Sequence, residues 1–313
     1  MDALSRLLRM ARLEAALDKH CLLAATTVMD VAAQGEREAA FHVLLEGACR
    51  FRVGDVELEL SAGDVVIVPS GSGHRVTTPG RGRTSTTSET RGPVFVTTRS
   101  AGGGAPVIDL YCGHFSYGPG AGAVLFGSLP TPLRVSLATP EQQPLLAALS
   151  SLLRAEAMDE GRGTAAVMSS LCTVLLAFVL RTSERPGGGP VWTGAADPDV
   201  ARAVDAILEA PGEEWSVDRL AQEAHMSRAT FLRRFTRSTG TTPGQFLARV
   251  RMMAAADLLV STDLSVSAVA ALVGYRSESS FSRGFRSEIG RSPGRFRADP
   301  SPAAAGGGSL RSA

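Results

Sequence analysis

The sequence predicts a multi-domain α+β protein whose two halves differ in fold. Short strands recur at even spacing in residues 21–117, which favours a β-barrel or jelly roll. Two apolar helical patterns follow in residues 144–181. The last hundred residues repeat themselves with a period of fifty. Each repeat reads as helix, turn and helix, so the C-terminal half is predicted to be all-α with two helix-turn-helix units.

Changes in composition predict the domain boundaries. The first domain covers residues 1–185 and the second covers residues 197–299. Residues 186–196 are predicted to be a linker, because the stretch RPGGGP combines flexible Gly with Pro that blocks helix formation. Residues 300–313 consist mainly of Ala, Gly and Ser with two Pro, which predicts a disordered tail.

The first domain begins with a predicted amphipathic helix in residues 1–20. Asp2 and three Arg interrupt its apolar residues, so it does not resemble a signal peptide. Gly, Asp and Glu turns then separate the predicted strands, and the polar residues 79–92 are predicted to form a mobile hairpin loop. The strands are predicted at residues 21–31, 41–45, 49–53, 56–60, 65–69, 94–99 and 107–117.

The two apolar helices that follow exceed what a small barrel needs to cover it. Five Leu recur at helical spacing between Leu145 and Leu153. The uncharged stretch 163–180 is long enough to cross a bilayer, but its Thr, Ser and Cys residues favour a buried helix. The excess of apolar surface predicts a homodimer interface, with purely internal packing as the alternative. Because the stretch 163–180 is predicted to be a buried helix, we predict a cytoplasmic protein with no membrane span.

The repeat covers residues 226–296. In each unit a Ser begins the second helix as an N-cap, and two Phe one turn apart share its buried face. A Gly–x–x–Pro–Gly–x–Phe sequence ends the unit. The repeated pairs are Ser227 and Ser277, Phe231 and Phe281, Arg233 and Arg283, Phe235 and Phe285, Gly240 and Gly290, and Phe246 and Phe296.

Opposite its Phe pair, each second helix carries Arg, small and hydroxyl residues. Such a face fits the DNA major groove, because Arg binds guanine edges, small residues allow close approach and Ser or Thr contacts phosphates. A single helix of this kind could simply expose its Arg to solvent, whereas two in register favour DNA binding. The predicted DNA-contacting residues are Arg228, Ala229, Thr230, Arg233, Arg234 and Arg237 in the first unit and Ser279, Ser280, Arg283 and Arg286 in the second.

The local charge agrees with this prediction. Between His225 and Asp299, twelve Arg face five acidic residues, which leaves a net charge of +7, whereas the whole chain carries only +1. Every positive charge there is an Arg, which makes bidentate contacts to bases and phosphates better than Lys does. A basic excess confined to one region is typical of a DNA-binding surface.

The segments HMSRATFLRRFTRSTGTTPGQFLARVRMMAAADLL and VGYRSESSFSRGFRSEIGRSPGRFR resemble the DNA-binding domain of AraC/XylS-type transcription regulators. The resemblance covers about a hundred residues. It implies two helix-turn-helix units joined by a long helix, with promoter DNA and RNA polymerase as partners. It also implies that the helices of residues 144–181 hold a homodimer together. One departure is Gly284 inside the second recognition helix.

The strand region resembles the cupin family. Gly63, Pro69, Gly71 and His74 follow the second cupin motif, and His42-x3-Glu46 follows part of the first. In cupins such His and Glu residues hold a divalent metal inside the barrel, so the resemblance implies a ligand pocket or a weak metal site at His42, Glu46 and His74. Ala40 stands where the family has a further His. The alternative is that the two His are hydrogen-bonded barrel residues without metal.

The segments MDALSRLL, DKHC, DLYCG and LAQEAHMSRATF are similar to AraC-type activators that respond to reactive chlorine species. Two cysteines are required for that response, which implies that Cys21 and Cys112 sense the oxidant here. The alternative is that both are buried core thiols. Cys49 and Cys172 have no such counterpart. The four Cys show no CxxC spacing, which argues against a zinc finger, and the length argues against a disulfide-rich secreted protein.

These features predict a transcription regulator, not an enzyme. The sequence contains no P-loop, Rossmann Gly pattern or GxSxG motif. The effector is predicted to be an oxidant, with a small ligand and no redox chemistry as the alternative. Two rival classes stay open: a metal-dependent cupin enzyme, and a nucleoid-type structural protein that binds DNA without sequence preference.

Overall fold

The computed structural model describes residues 3–11, 13–92, 94–118, 121–127, 129–140, 142–159, 161–183 and 197–298. The linker predicted at residues 186–196 and the tail predicted at residues 300–313 lie outside these residues and stay predictions.

The N-terminal half is rich in strands, as predicted. It begins with helix α1 (Ala3–Ala11) and ends with two long helices, α3 (Gln143–Asp159) and α4 (Thr164–Thr182). A short helix, α2 (Ala121–Gly127), precedes the last strand. The strands are β1 (Glu14–Ala24), β2 (Val28–Val31), β3 (Glu38–Glu46), β4 (Ala48–Val53), β5 (Val56–Ser61), β6 (Asp64–Val68), β7 (His74–Thr77), β8 (Thr87–Arg91), β9 (Val96–Ser100), β10 (Pro106–Ser116) and β11 (Leu133–Ser136).

These strands form two sheets, in the manner of a jelly roll. Seven strands pair in the order β11-β6-β3-β10-β1-β9-β8, and four pair in the order β2-β7-β4-β5. Apolar side chains from both sheets fill the space between them, including Leu44 and Leu110 from one sheet and Phe51 and Val76 from the other. We call this space the inter-sheet core. The other face of the seven-stranded sheet is covered by helices.

Several sequence predictions in this half were wrong in detail. The predicted strand 21–31 is divided between β1 and β2, which lie in different sheets, and β7 and β11 were not predicted. The N-terminal helix ends at Ala11, and Glu14–Ala24 is already a strand, because Ala15 and Leu17 alternate with less buried neighbours and face the core. The predicted loop 79–92 contains β8, which pairs with β9 along an antiparallel register. Backbone pairing therefore orders a polar stretch that has no apolar pattern of its own.

Helix α4 explains the apolar stretch seen in the sequence. In the described part of the chain it is the one helix long and apolar enough to cross a bilayer. Its buried side chains, among them Cys172, Leu176 and Val179, pack against the seven-stranded sheet. Core helices of soluble domains have the same length and composition, so this single helix is weak evidence for a span.

The C-terminal half consists of helices, and its two units match the predicted repeat. Long helix α8 joins the two, and each unit places a short helix before its recognition helix. The helices are α5 (Pro198–Glu209), α6 (Val217–Glu223), α7 (Arg228–Thr239), α8 (Pro243–Ser261), α9 (Val266–Leu272), α10 (Glu278–Ile289) and α11 (Pro293–Ala298).

The two halves share a continuous apolar core. Helix α1 packs against α5 and α8, and α2 packs against α8. Leu7 and Phe126 belong to the same buried cluster as Phe231 and Phe235. This connection places the first helix-turn-helix unit in contact with the strand-rich domain.

Candidate nucleic-acid interface and thiol site

Local sequence defines the ends of the two recognition helices, α7 and α10. The Ser227 hydroxyl accepts a hydrogen bond from the Thr230 backbone N–H, and Ser277 does the same for Ser280. Gly240 and Gly290 end the helices with φ angles of 70° and 83°, in the left-handed region that favours glycine. The repeat therefore encodes both helix limits in residues that have specific backbone roles.

Matching Phe clusters orient the two recognition helices. In the first unit, the Phe235 ring lies 5.3 Å from Phe231 and 5.5 Å from Phe246. In the second, Phe285 lies 5.6 Å from Phe281 and 5.4 Å from Phe296. All six rings are buried, so the opposite face of each helix points outward.

Most of the predicted DNA-contacting residues lie on these outward faces. Of the ten predicted DNA-contacting residues, all of which the structure describes, eight are exposed and Thr230 is half-buried. Arg228 is exposed but pairs with Asp218 at 2.7 Å. The eight exposed residues are Arg228, Ala229, Arg233, Arg237, Ser279, Ser280, Arg283 and Arg286.

Arg234 is the exception, and its predicted DNA contact conflicts with its position. Its guanidinium donates two hydrogen bonds to the Asp197 carboxylate, at 2.6 and 2.5 Å, and a third to Asp199 at 3.2 Å. Burial opposes ionisation of Asp197, but the Arg234 hydrogen bond holds the pKa of this carboxyl below its usual value. Asp197 also caps α5. Arg234 therefore anchors α7 to the start of the domain, and we leave it out of the proposed DNA contacts.

The inter-sheet core contains the second site. Cys21 on β1 and Cys112 on β10 lie on neighbouring antiparallel strands, and their sulfurs are 3.6 Å apart. Both residues are buried, with Cys21 fully inaccessible. The Met29 sulfur lies 3.7 Å from the Cys21 sulfur. The structure thus brings together two cysteines that are ninety-one residues apart in sequence.

The two predicted histidines lie in the same site. His42 Nδ1 is 3.1 Å from the Cys112 sulfur, and His42 Nε2 is 2.6 Å from His74 Nε2. His74 Nδ1 lies 2.9 Å from the carbonyl oxygen of Ser72. We call this group, Cys21, Cys112, His42 and His74, the thiol site.

Glu46 does not join the thiol site, which corrects the predicted ligand set. A register irregularity at Asp109 and Leu110 accompanies its pairing, and its carboxylate binds Arg154 of α3 at 2.7 Å on the helical side of the sheet. Its side chain is 68% exposed. Among the described residues, no group of three or more His, Cys, Asp or Glu has the arrangement of a metal site.

Burial governs protonation in the thiol site. It lowers the pKa of His42 well below 6.5, with His74 adding to the effect, and it lowers the pKa of His74 as well. The hydrogen bond between Cys112 and Cys21, together with burial, raises the pKa of Cys112 well above its usual value. Neutral histidines thus face a protonated thiol at neutral pH.

The other two cysteines lie in different surroundings. Burial raises the pKa of Cys49 and of Cys172 to about 12. Cys49 lies in the inter-sheet core, and Cys172 lies on the buried face of α4 that packs against the seven-stranded sheet. Among the described residues, neither of these cysteines hydrogen-bonds to a basic side chain. Both are therefore suited to packing and not to redox chemistry.

Sequence reasoning missed an ion-pair chain next to the thiol site. His20 Nε2 lies 2.9 Å from Asp109, which Arg154 of α3 binds at 2.8 Å. The His20 ring also stacks on Tyr111 at 4.4 Å. His20 and Tyr111 adjoin the two cysteines in sequence, and this adjacency was the available signal. The link to Arg154 became visible only in three dimensions.

This combination of a jelly roll with a double helix-turn-helix domain defines a DNA-binding transcription regulator. A family model described as Cupin matches residues 2–183, and one described as Helix-turn-helix domain matches residues 220–299. The chain belongs to the AraC-type regulators with an N-terminal cupin domain. It is therefore a regulator and not an enzyme.

Curated relatives align with nearly the whole chain. A putative AraC-like transcription regulator of Streptomyces antibioticus is 31% identical over 84% of this chain and 88% of its own length. An uncharacterized HTH-type transcriptional regulator of Haemophilus influenzae is 29% identical over 95% and 98%. The RCS-specific HTH-type transcriptional activator RclR of Escherichia coli is 28% identical over 95% and 97%.

Proposed function

We propose that this chain is a cytoplasmic activator that binds promoter DNA as a homodimer, recruits RNA polymerase and responds to an oxidant through Cys21 and Cys112. The observation that carries the proposal is the 3.6 Å separation of their sulfurs inside the inter-sheet core. The similarity to an activator named for reactive chlorine species supports hypochlorous acid as the oxidant.

The chemistry requires two thiols and one oxidant molecule. Hypochlorous acid transfers its oxygen to one thiol, which gives a sulfenic acid and releases chloride and a proton. The second thiol attacks that sulfur, a disulfide bond forms, and water leaves. The two sulfurs together lose two electrons, which reduce the chlorine of hypochlorous acid to chloride.

A disulfide would strain the contact between β1 and β10. The S–S bond is about 2.05 Å long, so the two sulfurs must approach each other from their present separation of 3.6 Å. Strand β1 lies under α4, and Asp109 of β10 binds both His20 of β1 and Arg154 of α3. Oxidation therefore acts on both long helices, and the shared core extends to the first helix-turn-helix unit.

Substitution of each cysteine tests the proposal. We expect Cys21→Ser and Cys112→Ser to abolish the promoter response to hypochlorous acid, because no disulfide can form. Cys49→Ser and Cys172→Ser are the matched controls and should respond like wild type. Promoter output and non-reducing mass spectrometry give the readout. An unchanged response in both Cys21→Ser and Cys112→Ser would leave only a small-ligand effector.

Exposed apolar residues on α3 and α4 support the homodimer. Leu152 is 51% exposed, Val167 40% and Val174 42%. Apolar residues clustered on a surface commonly mark an interface. Leu175 and Leu176 of α4 are buried against the sheet, so substitutions there would disturb the fold itself.

We expect Val174→Asp to give folded monomers, because it places a charge on the proposed interface and not in the core. Leu264→Asp is the matched control, since Leu264 is 37% exposed in the C-terminal domain. Sedimentation measures the oligomeric state. Wild-type monomers at micromolar concentration would contradict the homodimer.

DNA reading is assigned to the outward faces of α7 and α10. Helix α8 between them has 19 residues and is about 28 Å long at 1.5 Å per residue. One turn of DNA is about 34 Å, so a connection of this length supports the insertion of both helices into successive major-groove segments.

A further inference from the structure

Hydrogen positions in the thiol site follow from one fixed acceptor. The Ser72 carbonyl oxygen can only accept, so His74 Nδ1, 2.9 Å away, carries a hydrogen. Because burial keeps His74 neutral, its Nε2 is bare and accepts from His42 Nε2–H across 2.6 Å. Neutral His42 then has a bare Nδ1, 3.1 Å from the Cys112 sulfur. The tautomers are set by the hydrogen-bond network.

We propose that His42 and His74 form a proton relay that deprotonates Cys112 and makes it the thiol that reacts first with the oxidant. This inference rests on the proposed sensing function and assigns a task to each histidine. His42 hydrogen-bonds the Cys112 sulfur directly and is the proton-accepting residue, and His74 acts through its hydrogen bond to His42 and is a positioning residue.

The relay moves one proton over two hydrogen bonds. Cys112 gives its S–H proton to His42 Nδ1, and His42 gives its Nε2 proton to His74 Nε2. The positive charge then lies on His74, which hydrogen-bonds the carbonyl of exposed Ser72. The Cys112 thiolate takes the oxygen of hypochlorous acid, and chloride leaves. Cys21–SH attacks the Cys112 sulfenic acid, the S–O bond breaks and water departs. His74 finally releases its proton to solvent.

The relay gives the buried Cys112 thiol a proton acceptor within the site, His42 Nδ1, which lies 3.1 Å from the sulfur. Free ionisation of Cys112 is unfavourable because its pKa is raised, yet thiolate character is what an oxidant requires. An internal proton transfer produces the thiolate without moving a proton to bulk solvent. The charged groups that act on Cys112 come from β1, where Lys19 favours the thiolate and Asp18 opposes it. The apolar ring of Phe51 packs against both histidines.

The relay predicts an unusual pH profile. The proton passes from Cys112 to His42 inside the site, so the extent of this transfer does not depend on the proton concentration of the solvent. The reactivity of Cys112 should therefore change less than about threefold from pH 7 to pH 9. Without the relay, reactivity follows free thiolate and should rise about tenfold per pH unit, as it does for any acid below its pKa.

The test uses His42→Gln in the full-length protein. Gln can still accept a hydrogen bond from Cys112 but cannot take its proton. The rate of Cys112 alkylation by iodoacetamide is followed by mass spectrometry from pH 6 to pH 9, with chelator present. We expect the rate at pH 7 to fall at least tenfold and the tenfold-per-unit slope to appear. His74→Gln should produce a smaller loss, because His42 still accepts the first proton.

Cys49 serves as an internal control for folding. It lies in the same inter-sheet core but should stay unlabelled, so labelling of Cys49 identifies a variant whose core has opened. If His42→Gln opens the core in this way, the rate and pH profile of Cys112 alkylation in His74→Gln test the relay instead. A wild-type rate and pH profile in His42→Gln or in a folded His74→Gln would overturn the relay, as would an unreactive Cys112 in the wild type.

Failure of the relay and failure of the sensing function give different results. If the relay is wrong, hypochlorous acid forms the Cys21–Cys112 disulfide equally fast in wild type and His42→Gln. If the sensing function is wrong, Cys112 keeps its flat pH profile, but the disulfide does not form or does not change promoter output.

Discussion

The two helix-turn-helix units share a sequence pattern but differ in what surrounds them. Phe231, Phe235 and Phe246 of the first unit belong to the core that also contains α1 and α2 of the cupin domain. Phe281, Phe285 and Phe296 of the second pack in a separate cluster with residues of α8 and α9. One motif can therefore be tied to the cupin domain in its first copy and remain independent of it in its second.

A single repeat position shows the same difference. Arg234 of α7 corresponds to Gly284 of α10, fifty residues later. Arg234 binds Asp197 at the entrance of the domain. Gly284 makes no side-chain contact, and a Cβ there would lie 3.3 Å from the Tyr275 hydroxyl. The first unit is anchored by an ion pair, whereas the second leaves room for a neighbouring tyrosine.

Removal of one Phe from each core gives the largest expected effect. Phe235→Ala and Phe285→Ala should each cost about 3–5 kcal/mol of stability, the usual loss for a buried Phe. The two substitutions should differ in which helices they destabilise. Phe235→Ala should raise amide exchange in α1 and α2, and Phe285→Ala should not. Hydrogen exchange by mass spectrometry measures this. Equal protection of α1 in both variants would show that the shared core does not couple the domains.

The Arg234–Asp197 anchor is the next largest effect. Arg234→Ala should cost about 1.5–3 kcal/mol, because it leaves a largely buried carboxylate without its charged partner. Denaturant unfolding measures the loss. Since the pKa of Asp197 is lowered by Arg234, this contribution should be present near neutral pH and disappear as the pH falls through that lowered pKa.

Two results would contradict the anchor: an Arg234→Ala variant as stable as wild type at pH 7, or one that changes base preference on DNA without a change in stability. Gly284→Ala at the corresponding position is the matched control. It should change stability by less than about 1 kcal/mol, because the gain in helix propensity is offset by the close Tyr275 hydroxyl.

The smallest expected effects concern DNA. Arg233→Ala and Arg283→Ala should each cost about 1–3 kcal/mol on the correct site and relax one base position. Because the first unit packs against the cupin domain, the proposed oxidation of Cys21 and Cys112 should change the Arg233 effect but not the Arg283 effect. Gel-shift titrations with reduced and oxidised protein measure both. Unchanged specific affinity for Arg233→Ala would remove its base-reading role.

Periodicity and capping residues made most of the fold predictable. The repeat placed α7, α8 and α10 correctly, because N-cap Ser, C-terminal Gly and paired Phe act within a few residues of each other. Strands β3 to β6 followed from short, evenly spaced strand-like segments separated by Gly, Asp and Glu turns. Strand β8 was missed, because only its pairing with β9 defines it.

The candidate site was predictable only in part. The sequence pointed to Cys21, Cys112, His42 and His74 through resemblance, but not to the contacts among them. The cupin resemblance also placed Glu46 with the histidines, and residues four apart on a regular strand would share a face. The irregular register at Asp109 and Leu110 accompanies the turn of Glu46 towards Arg154, and such an irregularity depends on both paired strands.

The sequence by itself determined the local secondary structure of this protein and the set of reactive side chains that it contains. It specified two domains, a repeated DNA-binding unit and the buried cysteines and histidines, because patterning and capping depend on neighbours along the chain. The tertiary structure alone decided which groups meet. Pairing of β1 with β10 sets the two sulfurs 3.6 Å apart, and packing of the sheets sets His74 against His42. Contacts between distant residues depend on register and packing, which no local pattern encodes.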